Sequence, residues 1–521
     1  AVAERVVDEE EQDREHGEAA DRHSCALELG QRAGISIGIL VALAIALFFI
    51  DHSLAYGVLI LTAVSWIGKI PAQRERMAAQ VGLVLLLVIL AAVWTTQWSL
   101  VILLAVGAGI TWIPNRFKGW AVPTVLMVLA ILYPFYAQKM FVMPVFGVWP
   151  DVATGVYMLV FVMMAVGLNI VVGYAGLLDL GYVAFYATGA YTAAIFTSLQ
   201  FPHVTWHLGA VGIDPKLPGI HITIWLLLLL AGVVTALFGI VIGLPTLRLR
   251  GDYLAIVTLG FGEIIYDVAR NSDNLFNTGF NLTNGPNGIT PLDSPGFGHT
   301  LSSWTGGFLP SNYLTCCHAK VLGHQIQSED VFFWTAIVLL LFTIFCSLRL
   351  QYSRLGRAWI AIREDETAAA AMGIPLMRTK TWAYASGAFF GGIAGAFYAI
   401  FKSATFPGDF YFNISVFILC MVILGGMGNI WGVILGGAFL AYLNQEGLAN
   451  TGAWLNANVH VAGWRPNFDP SLYASGIYGV IILVVMLFRP EGFLPSRRIK
   501  AEMHEGVHDQ PLYDATHGGG I

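Results

Sequence analysis

The sequence predicts an all-α, polytopic integral membrane helical bundle in which some helices are broken or re-entrant. Three observations carry that reading. Apolar residues make up 56% of the chain and charged residues 12%, against about 45–50% and about 25% in an ordinary soluble domain. Apolar runs recur along nearly the whole sequence, and a membrane helix needs roughly 20 mostly apolar residues. The basic residues collect in alternate loops between those runs instead of spreading evenly.

The first element, residues 1–31, is polar and acidic: Glu4, Asp8 through Glu11, Asp13, Glu15, Glu18 and Asp21 fall in one short stretch. It cannot bury a core and reads as a disordered, acidic cytoplasmic tail. It is too acidic, and too long before the first apolar run, for a secretory signal. Residues 32–140 hold five plain apolar segments near 34–50, 54–68, 81–94, 98–113 and 119–136. They read as accessory transmembrane helices. Residues 150–498 form the working part, with segments near 152–172, 178–198, 222–247, 252–269, 331–348, 380–402, 413–428, 431–446 and 471–489. Several are short or glycine-broken, and such half-helices survive in a membrane only where protein buries them. Residues 499–521 read as a flexible tail.

Charge supplies the topology. With the amino terminus inside and every segment crossing, 21 of the 27 basic residues fall inside. Lys139, Lys216, Arg270, Lys320, Lys402 and Arg465 fall outside. This is the positive-inside bias, and it places both termini in the cytoplasm. The longest loop, 271–330, lies outside and is rich in Gly, Pro, Asn and Ser. A lid or docking surface and a plain connector both fit it.

Enzyme machinery is missing from the pattern. Gly68-Lys69 is followed by Ile70, and Ala63 stands where a phosphate loop needs glycine. There is no paired-histidine metal helix, no nucleophile elbow and no basic aromatic groove for nucleic acid. His203, His207 and His221 are irregularly spaced and read as no metal set. Cys25, Cys346 and Cys420 are isolated, and the adjacent Cys316 and Cys317 match no common metal spacing. A redox role for that pair is the alternative to idle thiols.

Polar groups inside apolar segments are costly and usually face a pathway or a partner. Asn169, Asp179, Glu263 and Asp267 are such groups. Asp179 sits between Gly176 and Gly181, where a structural hydrogen bond and a pathway role are both open. Glu263 follows the interrupted run Thr258-Leu-Gly-Phe-Gly262, and a second interrupted run starts at Leu424-Gly-Gly-Met-Gly428. Broken helices free amides and carbonyls to bind polar groups, and helix amino ends favour a carboxylate. The candidate substrate pathway is therefore Asn169, Gly173, Gly176, Asp179, Thr258, Gly260, Gly262, Glu263, Gly425 and Gly426. The two interrupted regions hint at an internal repeat. On the inside, residues 353–374 combine alanines and paired charges, with Gly373 as a stop and Pro375 beyond it. They predict a surface helix fit to dock a cytoplasmic partner.

Five stretches, in order, resemble LivM-type branched-chain amino acid permeases: Gly167–Tyr182, Arg250–Glu263, Asn284–Ile289, Gly356–Gly373 and Arg489–Pro495. The resemblance covers roughly residues 150–500. It implies the permease subunit of an ATP-binding-cassette importer in a bacterial inner membrane, translocating leucine, isoleucine or valine by alternating access. It implies two cytoplasmic ATPase subunits, which bind the ATP, so that this chain has no ATPase and no cofactor of its own. It further implies a second, related permease and a periplasmic binding protein. Residues 353–374 would be the coupling helix, with Gly356, Arg357, Ala358, Arg363, Glu364, Asp365 and Gly373 as its working positions. A urea, amide or other amino-acid permease of the same superfamily is the nearer alternative. An ion-coupled secondary transporter is the farther one, and would need no coupling helix. The acidic tail and the long outside loop depart from the short members of the family.

Overall fold

The computed structural model describes residues 115–137 and 149–494, apart from 202, 212–213, 215, 250–251, 275–280, 305–310, 314–319, 322–323, 459–468 and 490–491. The acidic tail, the first four apolar segments, the vicinal cysteines and the tail 499–521 lie outside the described residues. The chain divides into two units, residues 1–126 with 139–149, and residues 127–138 with 150–521. Helix α1 (Asn115–Tyr136) has residues in both. All elements after it belong to the second unit.

In chain order these are α2 (Val152–Asn169, continued by a π-turn over Ile170–Tyr174), α3 (Val183–Phe196), β1 (Thr197–Ser198), β2 (Thr205–Leu208) and β3 (Gly219–Ile222). Then come α4 (Ile224–Thr246), α5 (Asp252–Asn271), α6 (Gly298–Trp304), β4 (Lys320–Val321), β5 (His324–Gln325) and α7 (Ser328–Gln351). The rest are α8 (Arg354–Glu364), α9 (Glu366–Ala371), α10 (Leu376–Lys402), α11 (Phe412–Gly425), α12 (Ile430–Tyr442), α13 (Leu448–Asn458) and α14 (Ala474–Phe488).

Among the described residues six helices are long and apolar enough to cross a membrane: Val152–Tyr174, Ile224–Thr246, Ser328–Gln351, Leu376–Lys402, Pro407–Gly425 and Pro470–Phe488. The chain is thus a polytopic helical membrane protein. Helix α2 is its axis. Asp151 caps its start by accepting from the Thr154 amide at 2.7 Å. Every residue from Val160 to Ala175 is buried, against α7, α10, α11 and α12. Helix α10 is the second axis, packed on α3 and α4. Its small residues allow this, because in a membrane close van der Waals packing is a main force holding helices together. A Cβ on Gly189 of α3 would overlap the backbone of Gly392, and one on Gly395 would overlap the Tyr186 carbonyl. On its other side Gly392 receives the Thr235 side chain of α4.

Two expected segments are corrected. The segment at 178–198 is helical only from Val183. Gly176 turns left-handed at φ 68°, the Leu177 amide bonds back to the Val171 carbonyl, and Asp179 accepts from the Gly181 amide at 2.8 Å. The resulting non-helical stretch 175–182 is largely buried in protein, as the bilayer requires. The single helix expected over 353–374 is two. Asp365 leaves helical geometry at φ −151°, ψ 111°, ending α8 and capping α9 through the Thr367 and Ala368 amides. An aspartate side chain competes for backbone donors in this way and favours caps over helix interiors.

At the opposite end of the bundle, β1, β3 and β2 form one small sheet, with β1 antiparallel and β2 parallel to β3. The described part of the long loop is fastened beside it. Ile289 and Thr405 exchange two 3.0 Å backbone bonds, and the Asp293 amide donates to Thr197 at 2.9 Å.

Candidate functional site

The end of the bundle that carries Arg354, Arg357, Arg363, Arg378 and Lys380 gathers most of the candidate residues. Asn169 is wholly buried, and its Oδ1 accepts from the Gly428 amide at 2.9 Å. Its Nδ2 has no partner among the described residues. A Cβ on Gly173 would collide with that Asn169 oxygen. The Gly173 carbonyl accepts from Arg363 Nη1 at 2.6 Å, and Gly176 passes beneath the Arg363 stem. Gly425 and Gly426 belong to the α11–α12 turn. A Cβ on Gly425 would overlap the Gly432 carbonyl. Gly426 adopts φ 104° and is met by Gly492, itself at φ 83°. The Phe493 amide donates to Leu424 at 2.9 Å, and Asn429 Nδ2 donates to Leu494 at 2.8 Å. Here the stretch from Arg489 has its use: it seals the turn. Asn169, Gly173, Gly425 and Gly426 form a closely packed seam.

A second cluster lies one layer deeper. Thr258 Oγ1 accepts from the Leu180 amide at 3.0 Å and donates to the Ala255 carbonyl. Gly262 packs beside Gly181. Asp179 is 1% exposed, and its Oδ2 has no hydrogen-bond partner among the described residues. It borders a crevice too narrow for a water molecule, lined by Phe185, Ile242, Phe261 and Tyr384. Tyr182 donates to the Gly387 carbonyl at 2.9 Å, and Ser415 accepts from the Val183 amide, which pins the break to α10 and α11. Glu263 and Asp267 stand apart from both clusters. They are exposed on one face of α5 with Tyr253, Ile256 and Ile264, and a Cβ on Gly260 there would meet nothing within 4 Å among the described residues.

The α8–α9 pair is attached by one face. A Cβ on Gly356 would overlap the Leu350 and Gln351 carbonyls, so glycine permits the sharp entry from α7. Ser353 caps α8 by accepting from the Gly356 amide at 3.1 Å. Trp359 is 1% exposed and donates from Nε1 to the Thr379 carbonyl at 2.8 Å. Buried Lys380 meets Glu366 Oε1 at 2.8 Å. The other face holds Arg354, Arg357, Glu364 and Asp365, all exposed, with Ala358 half-buried. Arg357 Nη1 donates to the Tyr352 carbonyl. The Thr367 hydroxyl and the Thr367 and Ala368 amides hold the Asp365 carboxyl below its usual range. Gly373 closes α9 at φ 83°. Sequence spacing contained a signal for the inward tilt of Arg363: Trp359, Ile362 and Arg363 fall at i, i+3 and i+4, one helix face.

The opposite end carries a cluster that spacing did not reveal. His221 Nδ1 lies 2.8 Å from Asp293 Oδ2, and the His207 ring stacks on His221 at 5.0 Å. Burial pushes the Asp293 carboxyl up, while His221 draws it back down. Lys402 pairs with Asp409 at 2.6 Å, over the rings of Tyr398 and Phe406. Among the described residues no group of three His, Cys, Asp or Glu is placed to hold a metal ion.

The family described as "Branched-chain amino acid transport system / permease component" matches residues 152–486. The "High-affinity branched-chain amino acid transport system permease protein LivM" of Salmonella typhimurium is 34% identical over 387 residues, 73% of this chain and 76% of the relative. The Escherichia coli protein of the same description is 33% identical over the same shares. The "Probable branched-chain amino acid transport permease protein LivM" of Methanocaldococcus jannaschii is 26% identical over 278 residues, 52% of this chain and 70% of the relative. No solved structure matches the chain.

Proposed function

The chain belongs to the family of branched-chain amino acid transport permease components, and on that premise we propose that it is one membrane-spanning half of an ATP-driven importer of leucine, isoleucine and valine. It is a transport subunit and a multi-pass membrane protein. The proposal extends to its partners. Two cytoplasmic ATPases bind the ATP, a second related permease completes the pathway, and a periplasmic binding protein delivers the amino acid.

One observation supports this reading above the others: α8 and α9 are fixed by Trp359, Arg363 and Lys380 on one face and bare on the face holding Arg354 and Arg357. An ion-coupled carrier has no need of such a platform, whereas an ATPase that must push a membrane helix does. The basic end is then cytoplasmic, with both termini on that side of an inner membrane. The binding protein docks at the end with the β1–β3 sheet. The amino acid passes along the open face of α5 beside Gly260 and Glu263, with Asp179 and Thr258 behind it. ATP-driven closure of the ATPases tilts α8 and switches which end of that path is open.

The test is a pull-down of the tagged protein from its native membrane in mild detergent, followed by reconstitution in liposomes. ATPases and a sister permease should co-purify, and leucine uptake should require ATP. Recovery of this chain alone, moving leucine down an ion gradient without ATP, would overturn the proposal. Uptake of urea or an amide in place of leucine would move it to the neighbouring substrate class.

A further inference from the structure

Helix α2 does not end as an ordinary helix. Its last turn widens to a π-turn over Ile170–Tyr174, in which the Ala175 amide reaches back to Ile170 and the Leu177 amide to Val171. The final carbonyls of a helix lack partners of their own, and a cation there also meets the negative end of the helix dipole. The Gly173 carbonyl takes its bond from the guanidinium of Arg363, on a different element 190 residues away. The approach needs a bare backbone, since a Cβ on Gly176 would lie 2.7 Å from Arg363 Cγ and that residue is left-handed at φ 68°.

The far side of the same turn is tied as well. Asn169, the residue just before the π-turn, holds the Gly428 amide in the α11–α12 break. The turn therefore has polar attachments to α8, to the glycine turn that Gly492 seals and, through the Tyr174 and Ser347 hydroxyls, to α7. Arg363 itself is half-buried and points away from the bare face of α8.

We propose that Arg363 is a positioning residue, a strut that fastens α8 to the carboxyl end of α2 and passes movement of α8 to the Asn169–Gly428 junction. This rests on the ATP-driven reading for its purpose, though not for its geometry. It reassigns Arg363 from the face that meets a partner to the face that meets this chain's own α2 turn. A guanidinium suits the task because its planar fork holds a fixed direction, which an ammonium does not.

The experiment uses the full chain in nanodiscs and, in parallel, the reconstituted complex, comparing wild type with Arg363→Gln and Arg363→Lys. Amide hydrogen exchange over residues 170–181 should quicken about tenfold or more in Arg363→Gln, the loss expected for one charge-assisted bond. Arg363→Lys should restore part of that protection, and amides at the β1–β3 sheet should not change. In the complex, leucine moved per ATP hydrolysed should fall in Arg363→Gln and recover in part with lysine. A purely local role would quicken exchange without altering that ratio, and would overturn transmission. Unchanged exchange would overturn the strut itself. Absence of ATP-driven uptake in the wild type would instead defeat the importer reading, and the exchange result would still decide the strut.

Discussion

Gly181 and Thr258 meet backbone to backbone: a methyl group on Gly181 would overlap the Thr258 carbonyl, while the Thr258 hydroxyl receives the neighbouring Leu180 amide at 3.0 Å. The break before α3 is therefore seated directly on α5. Gly181→Ala should destabilise the protein by about 3 kcal/mol, the upper end of overpacking. Gly260→Ala, on the same helix but with open space at its Cβ, should leave stability level or raise it by about 0.5–1 kcal/mol. Leucine uptake should nevertheless fall in that variant, because the substrate path is assigned to its face. Thermal unfolding in detergent and uptake assays separate the two effects.

The ion pair under α9 is lopsided. Lys380 is buried, whereas Glu366 is about a third exposed. Removing the acid strands a buried ammonium, while removing the lysine leaves a carboxylate that water can reach. Glu366→Ala should thus lower the melting temperature more than Lys380→Met. The opposite order would show that the pair does not hold α9 to α10.

Asp365 gives the α8–α9 joint a pH dependence with a defined sign. Its carboxyl lies below its usual range because the Thr367 hydroxyl and two amides bond to the ionised form. A group with a lowered folded pKa stabilises the fold above its unfolded value, near 4, and loses that contribution as the pH falls through the folded one. Protection of the Thr367 and Ala368 amides, taken relative to their intrinsic exchange rates, should therefore persist at neutral pH and fall only below about pH 4. Asp365→Ala should show the lowered protection at every pH.

His221 clasps the loop residue Asp293 at 2.8 Å, with both side chains largely out of water. Replacing His221 by Ala leaves that carboxylate buried without its partner, a loss of about 1–3 kcal/mol. The effect should appear as faster proteolysis within residues 281–297, with α2 unaffected. Unchanged proteolysis would mean that the backbone bonds of Ile289, Leu292 and Asp293 hold the loop without the side-chain pair.

The long helices were legible because their apolar runs are long and uniform: α2, α4, α7 and α10 start and stop within a few residues of the runs that predict them. Residues 178–182 were not, since Leu178 and Leu180 read as helix while the break is imposed by Gly176 and by contacts to Thr258 on another element. Asp365 reads in the sequence as a working position inside one coupling helix, and only its backbone angles reveal a cap. Of the candidate site, the broken regions were visible but their work was not. Gly173 and Gly425 are glycine because backbones or buried side chains pass too close for a Cβ. The partner of His221 lies 72 residues away, beyond any spacing rule.

The glycine contact between α3 and α10 limits how the molecule can move. Gly189 and Gly392 bring two main chains together with no side chain between them, and Thr235 of α4 fills the other side of Gly392. Repacking of rotamers cannot loosen such a joint, because packed interfaces shift between discrete arrangements and do not deform smoothly. Helices α3, α4 and α10 therefore turn as a single block. The helix-free stretch 175–182 leads directly into that block, whereas the turn at 426–429 joins α11 to α12 outside it.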